Sequence, residues 1–206
     1  MRIAANTTRT GASSRIVTGL LAAGLLVSVA TNVLLAHRLR SLMSERSSRL
    51  AERVLKIGAF VPPISAKRLD GGMEVISYGG TNRPTVLYIF TPTCPWCARN
   101  VDSFKELVAK KSAEYRFIGL SLSPEGLPEY VATRGLTIPV YGGMSIDTLN
   151  TYKLGSTPQT IVVSPEGRVL EDWVGAYMGS QESKVEAFFH VTLPDVQAGP
   201  VTGIVH

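Results

Sequence analysis

Two cysteines occur in the 206 residues, and they stand three apart, as Cys94-Pro95-Trp96-Cys97. A thiolate is a strong nucleophile toward a disulfide sulfur. A second thiol about one helical turn away can attack the mixed disulfide that the first one forms. Such a pair therefore suits two-step disulfide exchange. The flanking residues supply the needed geometry. Thr85–Phe90 reads as a strand buried on both faces, and 95–111 as a helix with Val101, Phe104, Leu107 and Val108 on one stripe. Cys94 then lies at a helix mouth, where unpaired N–H groups and the macrodipole favour thiolate. Pro95 suits the first helical turn, which needs no N–H donor there. Cys97 lies a turn inward, so Cys94 is expected to attack and Cys97 to resolve. Two blander readings compete. A metal site needs more ligands, but His37, His190 and His206 are distant in sequence and form no ligand-spaced cluster. A purely structural disulfide would close so short a loop that it would stabilise little.

Thr157-Pro158 immediately precedes a second apolar run, Gln159–Val163. Proline is allowed at a strand entrance, and a cis bond there would turn the chain sharply. Thr157 backbone groups would then remain unpaired beside the cysteines, where an extended substrate could add as a strand. Taken alone, Pro158 would more often be an ordinary trans proline.

The elements that must position these residues alternate. Ile64–Leu69 and Met73–Tyr78 flank Asp70-Gly71-Gly72 as a hairpin. After the Thr85–Phe90 strand and its helix come a strand at Tyr115–Leu122, a helix at 125–134, a short strand at Thr137–Tyr141 and a helix at 145–153. Gln159–Val163 and Arg168–Val174 form a hairpin across Ser164-Pro165-Glu166-Gly167, and Ser180–Phe189 closes as a helix. Alternating strands and helices imply an α/β fold with a mostly parallel central sheet, flanked by helices, and an antiparallel edge from the last hairpin. Residues 58–193 form this body, with a loose tail over 194–206.

The formal net charge of +5 is unevenly placed. Residues 1–56 carry nine basic side chains against Glu45 and Glu52; the remainder is slightly acidic. That asymmetry points to membrane targeting and away from nucleic acid. Ile16–Ala36 contains no charge and is long enough to cross a bilayer. The expected organisation is a basic tail at 1–15, a transmembrane anchor at 16–36 and a helical stalk at 37–57. A cleaved signal peptide is the rival, with small residues at Ser28 and Ala30. The apolar run continues past them through Val33-Leu34-Leu35-Ala36, which favours an anchor. Three arginines precede the span and six basic residues follow closely, a count that by itself places the body in the cytoplasm.

The body resembles the thioredoxin fold, and more closely the membrane-anchored TlpA-like and ResA-like thiol–disulfide oxidoreductases of the redoxin/AhpC-TSA superfamily. The resemblance rests on Gly58…Pro62 with Leu69-Asp70-Gly71, the strand into Cys94-Pro95-Trp96-Cys97, Gly155…Thr157-Pro158-Gln159-Thr160, and Ser164-Pro165-Glu166-Gly167-Arg168-Val169. It implies a central mixed sheet flanked by helices with an N-terminal β-hairpin extension, and an enzyme with Cys94 and Cys97 catalytic and Pro158 cis and facing them. Pro95, Trp96, Thr157 and Pro158 would form the substrate-docking surface. It further implies no cofactor or metal, disulfide or dithiol protein partners, and a body on the extracytoplasmic side, against the charge count. Three positions depart from the pattern. Tyr88 stands where thioredoxins bury an Asp, Asn100 where ResA-like proteins place a Glu, and Thr93 where a Trp usually precedes the first cysteine. Tyr88 reads as core packing, and proton handling at Cys97 falls to water or other groups. Two other functions share these residues. A thiol peroxidase would use Thr91 three before Cys94, but Leu87 occupies that motif's proline position. A tethered dithiol metal-binding protein would use the two thiolates alone.

Overall fold

A computed structural model describes residues 10–80 and 82–196; side chains at 10–18, 22, 23, 26, 27 and 44–52 lie outside the description. The chain divides into two compact units, 1–50 and 51–206. The first is built on helix α1, Thr10–Arg53. Its apolar side chains Leu20, Leu21, Leu25, Val29, Val33, Leu34 and Leu35 are exposed, and Asn32 donates its amide to Ser28 O at 2.8 Å. Among the described residues no helix is long and apolar enough to cross a membrane. Part of the expected span at 16–36 lies outside those residues, as do most of the basic tail and residues 197–206.

The expected stalk helix stops short. It ends at Arg53 rather than near Ile57 because the chain is captured there by the body. Leu55 N donates to the Asp172 carboxylate at 2.6 Å, and Lys153 Nζ donates to Val54 O at 2.9 Å. Both groups would otherwise continue the helical ladder.

The second unit holds one seven-stranded sheet in the order β2-β1-β5-β4-β3-β6-β7. Its strands are β1 Ile64–Arg68, β2 Met73–Ile76, β3 Thr85–Phe90, β4 Arg116–Ser121, β5 Val140–Gly142, β6 Gln159–Val163 and β7 Val169–Val174. Helices α2 Pro95–Lys111, α3 Leu127–Arg134, α4 Ile146–Thr151 and α5 Ser180–Phe189 complete it. At the first hairpin Asp70 Oδ1 accepts from Gly72 N at 2.9 Å, while Gly71 takes φ +93°. A left-handed position of that kind favours glycine.

The sheet is mixed, as the resemblance to the thioredoxin fold implies, and not mostly parallel as the alternation of strands and helices alone suggests. Only β3–β4 and β4–β5 run parallel; β1–β2, β1–β5, β3–β6 and β6–β7 are antiparallel. The expectation failed at α4. Six residues span only about 9 Å, too little to carry the chain back along the sheet. Strand β6 therefore enters at the end where β3 finishes, with Gln159 opposite Ile89, and runs against it. The short strand expected at Thr137–Tyr141 lies at Val140–Gly142, with Leu120 paired to Tyr141.

Alternation along β3 splits the core between the two faces of the sheet. Val86, Tyr88 and Phe90 join one buried cluster with Cys97, Phe104 and Leu107 of α2, Tyr130 of α3, and Val185 and Phe189 of α5. Leu87 and Ile89 join the other, with Val61, Ile118, Tyr152 and Ile161. All six β3 residues are buried, as a central strand covered on both faces requires. The tail expected to be loose from Pro194 begins docked: Ser103 Oγ donates to Pro194 O at 2.8 Å, and Val196 is buried.

Candidate active site

The topology delivers two loops to one place. Strand β3 ends at Phe90 and turns through Thr91–Thr93 into α2, with Cys94 as its N-cap in extended conformation (φ −77°, ψ 114°). Because β6 starts opposite the end of β3, the residues before it fall beside that cap. The Thr157–Pro158 bond is cis, as expected, and Cys94 Sγ lies 3.5 Å from Thr157 O. Pro158 is buried, and its carbonyl accepts from Gly175 N at 2.7 Å.

The two sulfurs occupy different environments. Cys94 is half-buried and accepts from Cys97 N at 3.2 Å, the orphan donor of the first helical turn. Hydrogen bonding from the Cys97 thiol is the largest influence on it and outweighs the opposing effect of burial. With further help from Thr157 and the backbone N–H groups of Cys97 and Trp96, it brings the Cys94 thiol from 9.0 down to about 6. Cys97 is completely buried, and desolvation, followed by the adjacent Cys94 sulfur, pushes its thiol far up. Both are free thiols. At neutral pH one sulfur is a thiolate within reach of solvent and the other a protonated thiol behind it.

Trp96, 45% exposed, flanks Cys94, and the Arg99 guanidinium lies 4.7 Å from its ring centroid. Sequence reasoning placed Trp96 on the surface but did not foresee its stacked arginine. Pro95 is exposed beside it. Leu87 is wholly buried in β3 between Ile118 and Ile161.

Tyr88 and Asn100, read separately in the sequence, form a pair. The Asn100 amide faces Tyr88 Oη at 3.4 Å, and Asn100 Oδ1 accepts from Tyr177 N at 2.7 Å. Tyr177 Oη shares a 2.8 Å hydrogen bond with Thr160. Tyr88 does pack, stacking on Phe104 with centroids 4.0 Å apart, but its hydroxyl end belongs to this polar chain. Burial, then the neighbouring Cys97, holds that hydroxyl protonated well above the ordinary phenol range. The chain beneath Cys97 is thus neutral. Tyr177 sits in a loop without periodicity, and no sequence signal announced it. Among the described residues no group of three His, Cys, Asp or Glu side chains converges as a metal site would require.

No protein-family model and no curated protein sequence matches the chain. Solved structures do. The thioredoxin domain of a thiol-disulfide oxidoreductase from Bacteroides vulgatus superposes with a TM-score of 0.55 at 17% identity, covering 66% of this chain and 99% of that one. A thiol:disulfide interchange protein from Bacteroides sp. gives 0.53 at 17%, over 66% and 92%. A peroxiredoxin-like protein from Aquifex aeolicus gives 0.54 at 13%, over 66% and 87%. At such identities the likeness is one of architecture: the body has a thioredoxin-like fold.

Proposed function

We propose that the protein is a membrane-anchored thiol–disulfide oxidoreductase that reduces or exchanges disulfides in extracytoplasmic protein partners. The observation that carries this reading is the asymmetry of the two sulfurs: an accessible Cys94 with a thiol near 6 stands before a buried, protonated Cys97. Cys94 thiolate attacks one sulfur of a partner disulfide, forming a mixed disulfide and expelling the other sulfur as thiolate. Cys97 then gives its proton to solvent and attacks Cys94 Sγ. The second partner thiolate leaves and the Cys94–Cys97 disulfide closes. Two electrons pass to the partner, and the reverse sequence oxidises a dithiol. Trp96, Pro95, Thr157 and Pro158 form the docking surface in this reading, which the 3.5 Å approach of Thr157 O to Cys94 Sγ supports, and an extended partner segment adds along the Thr157 backbone. The names of the structural neighbours from both Bacteroides sources agree with this chemistry.

The anchor is supported by the uncharged run Ile16–Ala36 within α1 and by the exposed leucines and valines along it. Asn32 satisfies its amide on its own helix, as a polar residue in lipid must. A reporter that is active only in the cytoplasm, fused after His206, should be silent; activity would overturn the topology. The exchange reading is tested with Cys97→Ser, which should trap partners as mixed disulfides visible on non-reducing gels. If neither Cys97→Ser nor Cys94→Ser traps any, and reduced protein cannot cleave a model disulfide, the oxidoreductase reading fails.

A further inference from the structure

Three of the cations on α2 are met by carboxylates at close range. Lys105 faces Asp102 at 3.6 Å, Lys110 faces Glu106 at 3.0 Å and Lys111 faces Glu114 at 2.8 Å. Arg99 differs. Among the described residues no carboxylate pairs with it, and its Nε is buried without a hydrogen-bond partner. What holds it is Trp96, one helical turn back, with the guanidinium carbon 4.7 Å from the ring centroid. The indole face attracts the cation without neutralising it. Stacking engages the flat face of a guanidinium and leaves its in-plane N–H donors for a carboxylate.

The stack stands beside the nucleophile. Trp96 N–H is one of the donors that lower the Cys94 thiol, so the residue that carries the ring also faces the sulfur through its backbone. Residues 91–93 and 155–158, which border Cys94, bring no charge, and neither do 175–178, where Gly175 N meets Pro158 O at 2.7 Å. Glu125 is exposed in the loop whose Gly126 stands next to Pro92, which makes the α3 side of this turn the acidic one. The α2 side, with an exposed Trp96 and an uncompensated Arg99, is the side that suits an anion.

We propose that Arg99 is a specificity-determining residue that selects protein disulfides flanked by a carboxylate. An Asp or Glu one or two residues from the attacked cysteine pairs with the Arg99 guanidinium while that cysteine meets Cys94. This rests on the exchange reading above and names its substrate class. In an extended segment such a residue stands about 3–7 Å along the chain from the cysteine. An acidic side chain on the partner and the Trp96–Arg99 stack close that gap between them. Arginine suits the task because its planar fork takes both carboxylate oxygens. Trp96 already orders that fork, so little freedom is lost on pairing.

The test uses three synthetic peptides, each with one cysteine carried as a 2-pyridyl disulfide and alike except for Glu, Gln or Lys beside that cysteine. Attack by Cys94 of the reduced full chain on the peptide sulfur releases pyridine-2-thione, which is followed by absorbance. The peptides differ in intrinsic reactivity, so the quantity compared between proteins is the Glu-to-Gln rate ratio. The ratio is expected to be about three- to fivefold higher in the parent than in Arg99→Gln, the scale of a partly exposed ion pair. In the parent, about 0.5 M NaCl should remove most of that preference. Arg99→Glu should favour the Lys peptide over the Glu peptide, an outcome that a merely loosened Trp96 would not produce. Equal Glu-to-Gln ratios in the parent and Arg99→Gln would make Arg99 a support for Trp96 and overturn the proposal, leaving the exchange reading intact. A parent that releases no pyridine-2-thione from any peptide would overturn the exchange reading and this proposal with it.

Discussion

Cys97→Ala is the perturbation that most directly probes how Cys94 is activated. The Cys97 thiol is the largest influence lowering Cys94 to about 6, with Thr157 and backbone N–H groups contributing less. With a midpoint near 6, about nine-tenths of Cys94 is thiolate at pH 7, against a few per cent for an ordinary cysteine. Removing one charge-assisted hydrogen bond is expected to raise the midpoint by about one unit. The rate of iodoacetamide alkylation, followed against pH, reads this directly, with Cys94→Ser as the blank. Stability should move with it. The folded-state value lies below the unfolded one, so the thiolate's contribution is fully present above pH 9 and is lost as pH falls through 6. At pH 7 it comes to about 1.4 kcal/mol, discounted to about 1 kcal/mol because Cys94 is partly solvated. Reduced protein should therefore melt progressively lower between pH 9 and 6, whereas the disulfide form, which has no thiolate to lose, should lack that component. A parent alkylation midpoint above 8, or a midpoint unmoved by Cys97→Ala, would refute the reasoning.

Three further outcomes are expected. Asn100→Leu strands Tyr177 N and Tyr88 Oη in the core and should cost about 2–4 kcal/mol in urea denaturation, since each buried unpaired group costs about 1–3 kcal/mol. Gly167→Ala should lower stability by at least about 1 kcal/mol, because that residue sits at φ +81° and a methyl group would meet the Phe60 ring at 3.0 Å. Trp96→Ala should slow exchange with protein disulfides several-fold more than with a small aromatic disulfide, which is checked by comparing the two rates. Equal slowing would mean that Trp96 serves the helix and not the partner.

The parts of the fold governed by local pattern were legible. Thr85–Phe90, Gln159–Val163 and Ser180–Phe189 have the bounds read from their apolar runs and flanking turn residues, and α2 spans 95–111 as its stripe implied. Strand direction was not legible. It depended on whether the α4 segment could carry the chain the length of the sheet, a question of distance that periodicity does not answer. The end of α1 was hidden for a similar reason: Asp172, more than a hundred residues away, takes the Leu55 N–H. At the site, the cysteine pair and the proline opposite it have fixed spacing and chemistry, so they could be named in advance. The tyrosines had neither. Tyr130 is one position in an amphipathic helix and Tyr177 one in a loop, and only folding brings both into the buried cluster that holds Cys97.

The neutrality of that surrounding explains why the two sulfurs diverge. They are three residues apart on one helical turn, so the dipole and the orphan N–H groups alone would favour thiolate at either within that turn. Exposure decides between them. Cys94 keeps its donors and part of its solvent, while Cys97 is wholly buried in the cluster that holds Tyr88, Phe104 and Tyr130, where desolvation is the largest influence on it. An Asp or Glu at position 88 or 100 would offer a proton acceptor there, at the cost of a buried charge. Tyr88 and Asn100 instead spend their polar atoms on each other and on Tyr177. Ionisation of Cys97 is then disfavoured until a partner is bound to Cys94 and the sulfur has somewhere to place its charge. Asn100→Asp separates these effects. It should speed resolution of a mixed disulfide above the carboxyl's own pKa while lowering stability at neutral pH, because the new charge is fully buried. Faster resolution without that loss would mean that water already reaches Cys97, and burial could not then account for the order in which the sulfurs react.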